Sequence, residues 1–179
     1  MSTSDESQLT KALREVESAK IGLDHEVGTL LSPDGQVIRE YTGEAHGINI
    51  PAEDQPLFAG NIFTHNHPGG RTLTVEDIIA FADSGAVEVR ASSPQGTYFS
   101  LRATGDEVNR TIGRVMREEN VQSYEQAAQA IRERAGIESF DLSYEDFMKM
   151  VFDQVADQVD KWLIENAEEF GYTYTEGVL

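Results

Sequence analysis

Between residues 9 and 104 the apolar positions change period several times, and each change predicts an element. In "LTKALREVESA" Leu9, Leu13 and Val16 share one side of a helix. This predicts a short amphipathic helix packed on a sheet, following a polar, acidic stretch, residues 1–8, that is expected to be disordered. From Glu26 to Ile50 short apolar runs alternate with turn signals: "EVGTLL", "SPDG", "QVIREY", then "TGEAHGINI". The Ser-Pro-Asp-Gly step predicts a hairpin, because Pro33 presets φ and Gly35 accepts positive φ. "NIFTH" predicts a further strand, and "VEDIIAFADSG" a helix closed by Gly85 as its C-cap. "AVEVRAS" and "TYFSLRA" predict a second hairpin around "SPQG".

Beyond "ATGDE" the pattern turns helical, with segments predicted at 106–119, 123–135 and 143–169. Ser123 with Gln126 matches a capping box, and Ser143 with Asp146 repeats the signal. Along the last segment Phe147, Val151, Val155, Val159 and Trp162 form an apolar stripe on an acidic rod. Such a stripe packs on its own domain or on a partner, and the first is the commoner use. The prediction is therefore an α+β fold: a domain at 9–104 with a mixed sheet flanked by helices, then an all-helical extension at 105–179. No internal repeat is present.

Composition narrows the chemistry. With 32 acidic against 14 basic residues the formal charge is −18, which opposes a phosphate-binding surface, so a nucleic-acid partner is not expected. No apolar run approaches the roughly 20 residues needed to span a bilayer, and nothing at the start resembles a signal peptide. A soluble, cytoplasmic protein without a membrane partner is expected. Scarce lysine and acids spread along the chain fit a halophilic source and fit an ordinary acidic protein equally; destabilisation by molar KCl would exclude the first. There is no cysteine, so any metal must be held by His, Asp or Glu.

Two of the four histidines stand one residue apart in "THNHPGGRTLTVED". On a strand, His65 and His67 project to the same face, roughly 7 Å apart along the chain, so two imidazoles converge. Pro68 stops the ladder and the glycines let the backbone turn into a helix whose first turn carries Asp77. Two histidines and a carboxylate are three ligands that leave a fourth tetrahedral position open, the pattern of a catalytic zinc site. Thr74-Val-Glu-Asp77 also reads as a helix N-cap that needs no metal, and the two roles are compatible.

The run "HNHPGGRTLTVEDI" resembles the signature of the JAMM (MPN-domain) metalloproteases and their RadC-like bacterial relatives: His-x-His-Pro, a short loop, then Ser-x-x-Asp. The resemblance implies that His65, His67 and Asp77 bind zinc and that Thr74, in the serine's place, helps hold the reacting carbonyl oxygen. It implies a catalytic glutamate upstream in a setting like Glu-x-x-Gly-Leu-Leu, which "HEVGTLL" supplies as Glu26. The order of predicted elements agrees over residues 9–102. The loop from His67 to Asp77 is one residue shorter than is usual in the family, as in JAMM-like domains of phage morphogenesis proteins, and this shifts where Asp77 sits on its helix.

The expected function is zinc-dependent hydrolysis of a peptide or isopeptide bond, with Glu26 as general base and Thr74 as donor to the developing oxyanion. The polypeptide substrate implied by the resemblance is a ubiquitin-like tail or a viral structural protein, the latter with a virion-associated location. The other reading is a catalytically silent scaffold or phage assembly module, binding partners or its own copy through the C-terminal helices. Glu44 competes with Glu26 as base if the strand register differs. His46 is a substrate contact or a turn residue, and His25, beside Glu26 on a strand, points to the other face. The segment 47–60 is the candidate for an insertion that sets specificity.

Overall fold

A computed structural model describes residues 7–105, 110–135 and 143–179. Helix α1 (Gln8–Ser18) starts one residue earlier than predicted, with the Ser7 hydroxyl accepting from the Thr10 N–H. The expectation of disorder fails at Ser7 and Gln8, and residues 1–6 lie outside the described residues. Strands β1 (Val27–Leu31) and β2 (Val37–Thr42) form the first hairpin, closed by the Ser32 N–H on the Gln36 carbonyl, with Gly35 at φ 86°. A 3-10 helix (Ala52–Phe58) leads to β3 (Ile62–Asn66), α2 (Val75–Ser84) and β4 (Glu88–Ser92). Gly85 caps α2 in the left-handed region, as predicted. Strand β5 (Thr97–Ala103) returns through the Ser93–Gly96 turn, where Gly96 has φ 78°.

The sheet has six strands in the order β2-β1-β3-β4-β5-β6. Only β3 and β4 are parallel, joined by the α2 crossover; the other neighbours are antiparallel. The α+β architecture with a mixed sheet and flanking helices is therefore observed.

The C-terminal part is not all helical. After α3 (Ile112–Glu118), α4 (Tyr124–Ala135) and α5 (Tyr144–Asn166), the chain turns at Gly171 and adds β6 (Tyr172–Val178) to the edge of β5. The cause lies in "YTYTEGV", whose aromatic and β-branched residues favour extended backbone; Tyr172 points into the core and is fully buried. Residues 106–109 of the predicted 106–119 helix lie outside the described residues, and α3 covers the rest only from Ile112.

Three packing layers result. The main core lies on the α2 face of the sheet, where Leu30, Val89, Ala91 and Leu101 meet Ile78 and Phe81 of α2 and Ile112 and Met116 of α3. The α5 stripe is divided: Phe147, Val151 and Val155 pack on Ala127 and Ile131 of α4, whereas Val159 and Leu163 join the main core. The stripe is thus covered by its own chain and ends on Leu163, with Trp162 only partly buried. Among the described residues no helix is long and apolar enough to cross a membrane.

The opposite face holds α1 over Leu31 and Ile62, and beside this small core lies a buried charge network. Glu17, with no exposed surface, accepts from Thr64 (2.7 Å) and from two nitrogens of Arg90 (2.6 and 2.9 Å), and Arg90 also reaches Glu88. Lys20 completes the group, donating to the Thr64 carbonyl at 3.2 Å. Burial lowers its pKa from 10.5 to about 8, against the pull of Glu17 and Glu40.

This shift has a defined sign in stability. Between pH 8 and 10.5 the unfolded chain holds more protons at Lys20 than the folded one, so stability should rise with pH across that window. The contribution is on the order of 2–3 kcal/mol. It should vanish in Lys20→Met, as measured by urea unfolding at pH 7.5 and pH 10. By contrast Glu17→Ala, which leaves Arg90 only its bond to Glu88 and Thr64 without its acceptor, should cost about 3–5 kcal/mol at either pH.

Candidate metal centre

The site forms where β3 ends against α2. Alternation along the strand sends Phe63, His65 and then His67 to the α2 face, where all three line one cavity. His67 stands just past β3 yet keeps its N–H on the Ser92 carbonyl of β4, so the ladder runs to the second histidine before Pro68 ends it. The turn then closes through the Gly70 N–H on the His67 carbonyl, with Gly70 at φ 70°.

The two Nε2 atoms lie 2.8 Å apart, with ring centroids 4.6 Å apart. The His67 Nδ1–H donates to the Arg71 carbonyl at 2.9 Å, which leaves the Nε2 lone pair of the neutral ring directed at its partner. A hydrogen bond from the far ring nitrogen is what orients a metal-binding imidazole. The His65 ring stacks on Phe63 and its Nδ1 is buried without a hydrogen-bond partner among the described residues.

Both expected carboxylates reach this pair. Glu26, immediately before β1, is buried, and it forms with His65 and His67 a group whose ligand atoms all lie within 4.8 Å of one another. Asp77 places one oxygen 3.4 Å from the His65 Nε2 and the other 3.4 Å from the His67 Nε2. Ligand atoms around a tetrahedral ion bound at about 2.0–2.1 Å are about 3.3 Å apart, so the Asp77 spacing suits a shared metal. The shorter loop therefore leaves Asp77 beside both rings. It also fulfils the capping reading: the Thr74 N–H donates to the Asp77 carboxylate (2.8 Å) and the Asp77 N–H to the Thr74 hydroxyl (3.1 Å). One side chain caps α2 and faces the histidines at once.

The environment drives the two acids apart. Burial holds the Glu26 carboxyl above its ordinary value, with Asp77 adding to the effect and the histidines opposing it. Burial would also raise Asp77, but the facing imidazoles hold it well below the usual carboxylate range. Burial disfavours a charged His67, yet the Asp77 carboxylate outweighs this and lifts the ring to about 9. A pair of carboxyls with opposite tendencies is the arrangement in which one stays ionised while the other handles protons.

The other candidates separate cleanly. Glu44 is exposed, forms a bridge with Gly47 and does not line the cavity. His46 is exposed at its rim. His25 bonds Asp24 at 2.9 Å and lies outside the cavity lining. The cavity, about 1050 Å³, is lined by Ile48, Ile50 and Phe58 of the 47–60 segment and by Gln122, Tyr124 and Phe152 from the C-terminal half.

Those last three and Arg71 were not foreseen from the sequence. Gln122 accepts from the Val75 N–H at the start of α2 (2.7 Å), and the Arg71 guanidinium stacks 3.9 Å above the Phe152 ring. A backbone carbonyl acting behind a ligand leaves no signature in residue types. Gln122, next to a predicted cap at Ser123, was the nearest thing to a signal. No family model matches the chain, and neither a curated protein nor a solved structure matches it.

The donor set predicts one divalent transition-metal ion per chain, measured by elemental analysis of protein prepared without chelator. His67→Ala and Asp77→Ala should each reduce it to background. Because the ion competes with the proton on His67, affinity should rise with pH toward about 9.

Proposed function

We propose that this chain is a zinc-dependent hydrolase of peptide or isopeptide bonds, of the JAMM kind that its histidine motif resembles. The observation that carries the reading is the convergence of two imidazole Nε2 atoms and two oppositely tuned carboxylates in a cavity large enough for an extended polypeptide. His65, His67 and Asp77 hold the ion. When bound, zinc supplies Lewis acidity, acidifying water and polarising a carbonyl.

The chain's own groups do the rest. Glu26, its proton affinity raised by burial, takes the proton of the attacking water and returns it to the leaving amine. Asp77 stays ionised, braced by the Thr74 N–H and by the N-terminal end of α2. The Thr74 hydroxyl already accepts from the Asp77 N–H, so its own hydrogen is free to donate to the oxyanion. The wall formed by Ile48, Ile50 and Phe58 sets which side chains fit beside the bond that is cut. The substrate is a polypeptide, a ubiquitin-like tail or a viral structural protein. A silent assembly role through the α5 stripe loses its surface, because α4 and the main core cover that stripe.

Cleavage of fluorogenic peptide pools and isopeptide-linked conjugates tests the reading. Glu26→Gln should keep its zinc and lose about 10²–10⁴-fold in rate. Thr74→Val should lose about 10²–10³-fold while Thr74→Ser stays near wild type. A Glu26→Gln protein that holds zinc and cleaves at the wild-type rate would sink the mechanism.

A further inference from the structure

Asn66, the residue between the two histidines, is buried at 4% exposure, yet it does not enter the cavity. Its carboxamide bonds to backbone on both sides of Glu26: the Val27 N–H donates to Oδ1 at 2.7 Å, and Nδ2 donates to the His25 carbonyl at 2.9 Å. The β1–β3 ladder ends at Gly28 opposite His65. Beyond that point the side chain of Asn66 takes the place of strand pairing and spans the gap to residues 25–27.

The other edge of this segment is held as well. The Glu26 N–H bonds to the Glu44 carbonyl and the Glu26 carbonyl accepts from the Gly43 N–H, both at 2.8 Å. Four hydrogen bonds thus fix three residues, and the side chain they aim is Glu26, within ligand distance of His65 and His67. We propose that Asn66 is the positioning residue for Glu26, locking the carboxylate to the strand that carries both histidines. The proposal deepens the metal-centre reading and rests on it for the role of Glu26.

The chemistry selects asparagine. The clamp needs one donor and one acceptor on adjacent atoms of a short side chain. Aspartate keeps the acceptor for Val27 but presents a charge to the His25 carbonyl. Serine offers a single atom for two partners, and glutamine is one methylene too long. Because the clamp belongs to β3 itself, any shift of the strand carries the histidines and the glutamate together.

Two measurements test it. In the metal-free protein, amide hydrogen exchange should quicken at least tenfold in Asn66→Ala at Val27, and also at Glu26, whose own partner on Glu44 is untouched, while Leu30 and Leu31 keep their protection. Unchanged exchange at Glu26 would overturn the proposal. The second is the cleavage rate of the fluorogenic peptide pools, with zinc content checked for each protein, for Asn66→Ala, Glu26→Gln and the double variant. Asn66→Ala should keep its zinc and lose about tenfold to a hundredfold in rate, and its effect should largely disappear in the Glu26→Gln background. Losses that multiply in the double variant would show that Asn66 acts independently of Glu26, and would overturn it too. Should Asn66→Ala fail to fold, near-isosteric Asn66→Asp takes its place in both measurements, with Val27 protected and Glu26 exchanging faster as the supporting result. If wild type binds no zinc the metal reading fails, and the exchange data alone decide the clamp.

Discussion

Strand β3 is paired on both edges and covered on both faces, so every side chain it carries must satisfy the layer it enters. On the α2 face Phe63 stacks on His65, and His65 meets His67. On the α1 face Ile62 packs with Leu13, Thr64 bonds Glu17, and Asn66 takes hold of the backbone around Glu26. A slip of one residue would exchange the two sets, placing imidazoles against α1 and Thr64 in the cavity. The charge network under α1 therefore matters to a site it never touches. By holding Thr64 and Arg90 on its side, it fixes the register that leaves the histidines on the other.

Electrostatics explains why the pocket keeps two carboxylates in a chain already at −18. Asp77 has compensation from the start of its own helix, through the Thr74 N–H and the positive end of α2, and from the two histidine rings that face it at the end of β3. Glu26 has no such donors among the described hydrogen bonds, and burial dominates its surroundings. The two acids are thus shifted in opposite directions, Asp77 toward the charged form and Glu26 toward the protonated one, with no difference in residue chemistry beyond a methylene. The same excess of negative charge draws cations toward the cavity mouth, where Glu76 and Asp83 add to it.

Local signals were legible, and signals that depend on distant partners were not. Pro33 with Gly35, Gly85, and the His-x-His alternation act over a few residues, so the first hairpin, the end of α2 and the histidine face appear where their patterns placed them. The pairing of Thr74 with Asp77 was visible for the same reason. Strand β6 was missed although "YTYTEGV" has a local preference for extended backbone, because a helical run immediately precedes it and its partner β5 lies about seventy residues upstream. The choice of Glu26 over Glu44 was open because both flank turns, and only the β1–β2 pairing buries one and exposes the other. The network around Glu17 was hidden for a different reason. Acids on a predicted amphipathic helix read as solvated, and nothing local tells that Arg90 rises to meet one of them.

The loop behind His67 ties the centre to the C-terminal third of the chain. The Arg71 carbonyl that orients His67 belongs to a residue whose guanidinium rests on Phe152 of α5. The next residue, Thr72, meets the Tyr174 hydroxyl of β6 at 2.9 Å, and Tyr174 in turn donates to Asp160 of α5. Burial raises the Asp160 carboxyl in spite of its bonds from Thr72 and Tyr174, so this junction is a desolvated polar contact rather than a solvated surface pair. Removing β6 would leave Thr72 and Asp160 without Tyr174 and open the edge of β5. The imidazole geometry is then a property of the whole sheet. The motif places two histidines on one face, but the His67 ring is held through Arg71 and its neighbour Thr72, whose side chains rest on Phe152 of α5 and Tyr174 of β6, far along the chain.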